Sequence, residues 1–299
     1  MTGKGGAGKT TIAAALGLAA ARRGKRTMVC EVAGQADLPR ALDLQGADTA
    51  FIETEVAEGL SVISIDPQDA LEEYLRLQVS GPLYKVLFEN RIFQYLAAAT
   101  PGMRELVTMG KIWELAQLQR RTPGASRYDF VVVDAPASGH GLAMLQAPST
   151  FRDVASVGPV RRQAGRIHSF VTDPGETGVL VAALAEEMPV AEAIELRAAL
   201  RRELGMDVDG VVVNGLLPER FSGAEVRRIE RAGRGLSSSA RAALASATFE
   251  HAQARGQRSH LRRIRRAGPR RVVTLPFLFG GATGRAPLER LSRELERKL

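Results

Sequence analysis

The stretch Met1-Thr2-Gly3-Lys4-Gly5-Gly6-Ala7-Gly8-Lys9-Thr10-Thr11 opens the chain, and its reading decides the fold. Residues 3–10 fit G-x-x-x-x-G-K-[ST], the pattern of a phosphate-binding loop. Gly3, Gly5, Gly6 and Gly8 let the backbone curl until successive N–H groups face a polyphosphate, and Ala7 completes the loop. The alanine- and leucine-rich run 10–23 predicts a helix directly behind it, with Thr11 in its first turn. That helix points its positive N-terminal end at the same spot. Lys9 is placed to reach the β- and γ-phosphates of ATP, and the Thr10 hydroxyl to ligate Mg²⁺. A second lysine, Lys4, is not required by a plain phosphate loop.

Such a loop hangs from the C-terminal end of a β-strand. Here only Met1 and Thr2 precede Gly3, fewer than the roughly five residues of a common strand. The expectation is that the first strand is absent or that the chain starts too late, and a late start is the favoured reading.

Working outward, short apolar runs at 26–32, 60–65, 128–134, 177–184, 208–214 and 271–275 predict buried strands. Helical stretches at 66–121, 190–204, 224–266 and 287–299 separate or follow them. Strands alternating with helices argue for an α/β fold, a mostly parallel, doubly wound sheet covered by helices on both faces. The whole chain, 1–299, is expected to be one such unit with a helical insertion at about 67–121. With 45% hydrophobic and 25% charged residues, the composition is that of a globular protein. The N-terminus lacks a signal-peptide pattern, and a single cysteine fits a reducing cytoplasm. The net charge of +8 carries no decision by itself, because arginine enrichment has causes other than a polyanionic partner.

In such sheets ligands bind beyond the carboxyl ends of the strands. The 128–134 strand ends in Asp134, the expected acidic partner of the Mg²⁺ site, followed by Ala135-Pro136-Ala137-Ser138-Gly139-His140. Gly139 is placed for its backbone N–H to sense the γ-phosphate. Asn214 ends a strand and has an amide suited to an adenine edge, and Pro276-Phe277 after the last strand can cover the base.

Together these stretches resemble the ArsA-like ATPases, the family of arsenite-pump and tail-anchored-protein targeting ATPases. G-K-G-G-A-G-K-T-T, with Lys4, is similar to the family's deviant phosphate loop, and Asp134 to His140 to its second switch. Pro101-Gly102 with Glu105, Ala185-Glu186-Glu187-Met188-Pro189, Val213-Asn214 with Pro218, and Leu275-Pro276-Phe277 follow the family's order. The resemblance implies an ATP- and Mg²⁺-dependent dimer, a homodimer or a heterodimer with a related ATPase. ATP would lie at the subunit interface, Lys4 would reach the facing subunit's phosphates, and hydrolysis would drive a protein cargo or membrane partner.

Several residues depart from the pattern. The family's first switch carries a carboxylate where this chain has Ala33, which cannot position an attacking water. Glu31 and Asp37 are the neighbouring carboxylates, but strand alternation means Glu31 does not automatically substitute. Slow hydrolysis, or a regulatory subunit that binds nucleotide without turning it over, is the alternative expectation. Cys30 is alone, so no arsenite or zinc site is expected. Residues 147–172 are not the long Met-rich insertion of the targeting branch, and the apolar helices between Glu72 and Leu118 read as a packed layer. The Arg-rich run 255–271 lacks interleaved aromatics, so it reads as a solvated helical face and nucleic acid is not the expected partner. A DNA-associated partitioning ATPase stays as the weaker third expectation.

Overall fold

The computed structural model describes the chain except residues 33–36, 45–48, 79–99, 156, 233–235 and 282–283. Ala33, and residues 79–99 of the apolar helices expected between Glu72 and Leu118, therefore lie outside the described residues. In chain order the elements are β1 (Thr2–Gly3), α1 (Lys9–Arg22), β2 (Thr27–Val32), α2 (Asp37–Ala41), β3 (Thr54–Ala57), β4 (Leu60–Ile65), α3 (Pro67–Gln78) and α4 (Met103–Leu115). There follow β5 (Phe130–Asp134), α5 (Ser138–Val154), α6 (Pro159–Thr172), β6 (Leu180–Leu184) and α7 (Glu187–Leu204). The chain closes with β7 (Gly210–Leu216), α8 (Gly223–Ala232), α9 (Ser238–Arg266), β8 (Val272–Pro276) and α10 (Arg285–Lys298).

The strands form two four-stranded ladders, β3-β4-β2-β5 and β1-β6-β7-β8, parallel throughout except for β3. The ladders meet at Met1. Its amino group donates to Val133 O at 2.8 Å, and its carbonyl accepts from Ala135 N at 3.0 Å. Immediately beyond, Thr2 and Gly3 pair with Val181 and Ala182 of β6. The first strand is therefore present as a two-residue stub wedged between β5 and β6. Beneath the stub, residues of both ladders line a cavity of about 340 Å³ together with apolar side chains such as Met109, Ile112 and Phe170.

The core follows from strand alternation on a sheet buried from both sides. Met28, Cys30, Val181 and Val213 face the layer made by α4, α5, α6 and α7. Val29, Ala182 and Val212 face the opposite layer, where Ile12 of α1 packs with Leu288, Leu291 and Leu295 of α10. At Gly17 a side chain would meet Val29 Cγ2 at 2.4 Å, so α1 sits closer to the sheet than any larger residue allows. At the end of the sheet opposite the loop, the Arg120 guanidinium is 2% exposed and clasped by Glu53 at 2.6 Å and Glu114 at 2.7 Å.

Two expectations change. The helix expected over 224–266 is two helices, and α9 begins where the Ser237 hydroxyl caps Ala240 N at 3.3 Å. The antiparallel strand β3 is additional; its T-E-V-A sequence is polar enough to escape a search for apolar runs. No helix among the described residues is long and apolar enough to cross a membrane.

The Met1 amino group is fully buried, and burial pushes its pKa from 8.0 down to about 6, against the attraction of Asp134. The fold thus favours the neutral amine while the unfolded chain takes up a proton below about pH 8. For a chain made with a free amine at Met1, stability is expected to fall as pH drops from 8 to 6 and to level off below, by about 3 kcal/mol for two pK units. Acetylation of Met1 keeps an N–H donor and removes the charge, so urea titrations of the acetylated 299-residue chain should lack this component.

Candidate functional site

The phosphate loop occupies the centre of the sheet, where the order of connections reverses between β5 and β6. After Gly3 the backbone turns sharply, with Ala7 N donating to Lys4 O at 3.2 Å, and α1 starts at Lys9. Gly8 takes φ +84° at the helix entrance, a left-handed conformation that costs a side-chain-bearing residue strain. A Cβ there would also lie 2.4 Å from Asn214 Nδ2. Asn214 in turn donates from that nitrogen to Ala7 O at 3.2 Å, so the loop rests on the end of β7.

A cleft of about 960 Å³ opens above the strand ends, large enough for a nucleotide. Gly5, Gly6, Gly8, Lys9, Thr10 and Thr11 line one wall, and Glu31, Asp37, Asp134 and Ala137 the other. Arg40, Arg104 and Thr108 also line it, though no sequence pattern singled them out for the site, as does His140 from the stretch after Asp134. Gly139 sits exposed in the first turn of α5, whose leading N–H groups have no partner within the helix. Lys4 does not line the cleft: its Nζ lies 3.8 Å from Glu192 of α7.

Thr10 and Asp134 come together as expected. Thr10 Oγ1 donates to Asp134 Oδ2 at 2.5 Å, across 124 residues of sequence. The other oxygen, Oδ1, is buried without a hydrogen-bond partner. Burial raises the Asp134 pKa above the usual carboxylate value, opposed by the Thr10 hydrogen bond, the Met1 amine and Lys9. An orphaned carboxylate oxygen beside a threonine hydroxyl, at the mouth of a phosphate loop, is a fitting donor set for a hard cation such as Mg²⁺.

Glu31 lies beside Asp134 in the β2–β5 register. Both its oxygens are engaged. Oε1 accepts from Asp37 N at 2.7 Å and Leu38 N at 3.2 Å, and Oε2 from Ser64 Oγ at 2.9 Å. It caps α2, and its carboxylate is occupied by that task. Asp37 pairs with Arg40 at 3.3 Å. Cys30 is fully buried on β2, and burial pushes its thiol well above the ordinary range.

Pro276 ends β8, and Phe277 N donates to Leu216 O at 2.9 Å, joining the loops after β7 and β8. Phe277 is 46% exposed and meets Phe279 edge to face with centroids 5.0 Å apart. This aromatic pair lies outside the lining of the phosphate cleft.

The family model described as anion-transporting ATPase matches residues 1–157, which carry the loop, Asp134 and the start of the strand-end helix. The chain belongs to the anion-transporting ATPase family. Its α/β sheet with a central phosphate loop is the P-loop nucleoside-triphosphatase fold of that family. Similar curated proteins include the ATPase BagA of Mycobacterium tuberculosis, 29% identical over 73% of this chain and 64% of that protein. The arsenical pump-driving ATPase of Acidiphilium multivorum is 28% identical over 73% of this chain and 39% of its own length. The ATPase ASNA1 homolog of Entamoeba dispar is 26% identical over 72% and 75%. The chain thus covers less than two thirds of the length of the mycobacterial relative.

In this member of the anion-transporting ATPase family, the contact between Gly8 and Asn214 can be tested directly. Gly8→Ala should weaken nucleotide binding at least tenfold with the circular dichroism spectrum unchanged. Adding Asn214→Ala should restore part of the loss by relieving the clash and leaving the backbone strain. A fluorescent ATP analogue titrated against the three chains provides the measurement.

Proposed function

We propose that the protein binds Mg-ATP in the cleft over the phosphate loop and hydrolyses it slowly, as a cytoplasmic, dimeric switch acting on a protein cargo or membrane partner. The observation that carries this reading is the Thr10–Asp134 pair with its unpartnered, buried Oδ1 at the mouth of the loop. Lys9 and the backbone N–H groups of Gly5, Gly6 and Gly8 bind the phosphates, while the N-terminal end of α1 favours their charge. Thr10 and Asp134 would hold Mg²⁺, which supplies positive charge to the phosphate oxygens. Phe277 offers an exposed ring for the base, and the first turn of α5 at Gly139 offers free N–H donors. The names of the ATPase relatives support the same class of activity.

Slow turnover has its own support. Glu31 is engaged in capping α2, so it does not stand free to orient water, and Asp37 is drawn towards Arg40 by an exposed ion pair. That arrangement also favours the second reading, a nucleotide-binding regulatory subunit within a mixed dimer. In the Arg-rich run, Arg258 pairs with Glu219, Arg263 with Glu187 and Arg270 with Asp209, which supports a solvated face over a DNA-binding one.

Phosphate-release assays on the purified chain should give turnover below the roughly 1 per second at the lower end of common enzymes. Lys9→Ala should reduce nucleotide affinity at least tenfold, and Asp134→Asn should abolish the dependence of binding on Mg²⁺. Fast turnover that survives both Glu31→Ala and Asp37→Ala would overturn the slow-hydrolysis reading. Nucleotide binding indifferent to Lys9→Ala would overturn the site itself.

A further inference from the structure

Lys4 is the residue that separates this loop from a plain phosphate loop, and its side chain is turned away from the cleft. It reaches α7, where Nζ lies 3.8 Å from Glu192 Oε2. The other oxygen of that carboxylate, Oε1, accepts a hydrogen bond from Ser138 Oγ at the first residue of α5. Ser138 is buried, whereas Lys4 and Glu192 each keep about a third of the side chain exposed, 33% and 34%. A single carboxylate therefore joins the phosphate loop to the segment that begins at Asp134.

We propose that Glu192 is a positioning residue: it holds Lys4 within its own subunit and couples release of Lys4 to Ser138 at the start of α5. The proposal rests on the reading of the chain as a pairing ATP switch, which gives Lys4 a second place to go. The two halves of the link differ in strength. A lysine–carboxylate pair at 3.8 Å with a third of each side chain exposed is screened by water and yields readily to the denser charge of a triphosphate. The Ser138 bond is the more sheltered half, because its donor is buried. When Lys4 leaves, Glu192 loses its cation and its carboxylate accepts more strongly from the Ser138 hydroxyl. The start of α5 thereby senses where Lys4 is. Glu192 touches no reacting atom; it acts through Lys4 and Ser138.

The test is pairing of the full chain, followed by light scattering in Mg²⁺ and a non-hydrolysable ATP analogue, with a fluorescent analogue reporting binding separately. Glu192→Gln keeps an acceptor for Ser138 and drops the charge on Lys4. It should lower the analogue concentration for half-maximal pairing three- to tenfold, with no such shift in ADP. In a Lys4→Met background the same substitution should change nothing, because the residue it restrains is gone. Glu192→Asp, which keeps the charge on a shorter arm, should fall between wild type and Glu192→Gln, and stands in should the Gln variant fail to fold. Unmoved pairing curves in the foldable variant, or effects of Lys4→Met and Glu192→Gln that simply add, would overturn the proposal. A wild-type chain that binds the analogue and stays monomeric also overturns it but leaves nucleotide binding standing. A wild-type chain that binds no analogue removes the ATP-switch reading itself, and this proposal with it.

Discussion

Two backbone hydrogen bonds at Met1 join the two halves of the sheet. Its amino group reaches Val133 O and its carbonyl accepts from Ala135 N, while Thr2 and Gly3 continue the pairing on the other side with β6. The phosphate loop begins at that seam, so its position depends on β5 and β6 together. Asp134 is the last residue of β5 and lies between the two residues that bond to Met1. The geometry that brings Thr10 to within 2.5 Å of Asp134 is thus set by the same contact that closes the sheet.

From that contact the site is assembled by strand ends, each holding the loop from a different side. β7 supplies Asn214, which supports the Ala7 carbonyl and fills the space a side chain at Gly8 would need. β5 supplies Asp134 to the first turn of α1. β2 supplies Glu31, which orders α2 through its capping bonds. The result is a loop with little freedom of its own, consistent with a role in which ligand charge meets preset N–H groups.

Much of this was legible in the sequence because parallel strands buried on both faces read as continuous β-branched runs, and six such runs are strands. The edge strand β3 was not, since its Thr-Glu-Val-Ala has no apolar run to find. The loop and Asp134 were legible because phosphate chemistry demands glycine, lysine, a hydroxyl and a carboxylate at fixed places. The engagement of Glu31 was not: whether a strand-end carboxylate is free or capping depends on the path of the chain after it. Glu192 was silent for a related reason. Its two partners lie 188 and 54 residues away, and no local pattern marks a side chain whose task is defined by tertiary contacts.

The cavity under Met1 gives the sheet an uneven mechanical character. The inner ladders β2–β4 and β6–β7 have six and five residue pairs, whereas the central stub has two on one side and two backbone bonds on the other. The seam at Met1 therefore carries fewer bonds than the ladders that flank it. An anion that needs the loop in its folded shape would add its own affinity to the cohesion of the seam. The ligand then acts as a keystone, gripped by the loop directly above the contact that joins the two ladders.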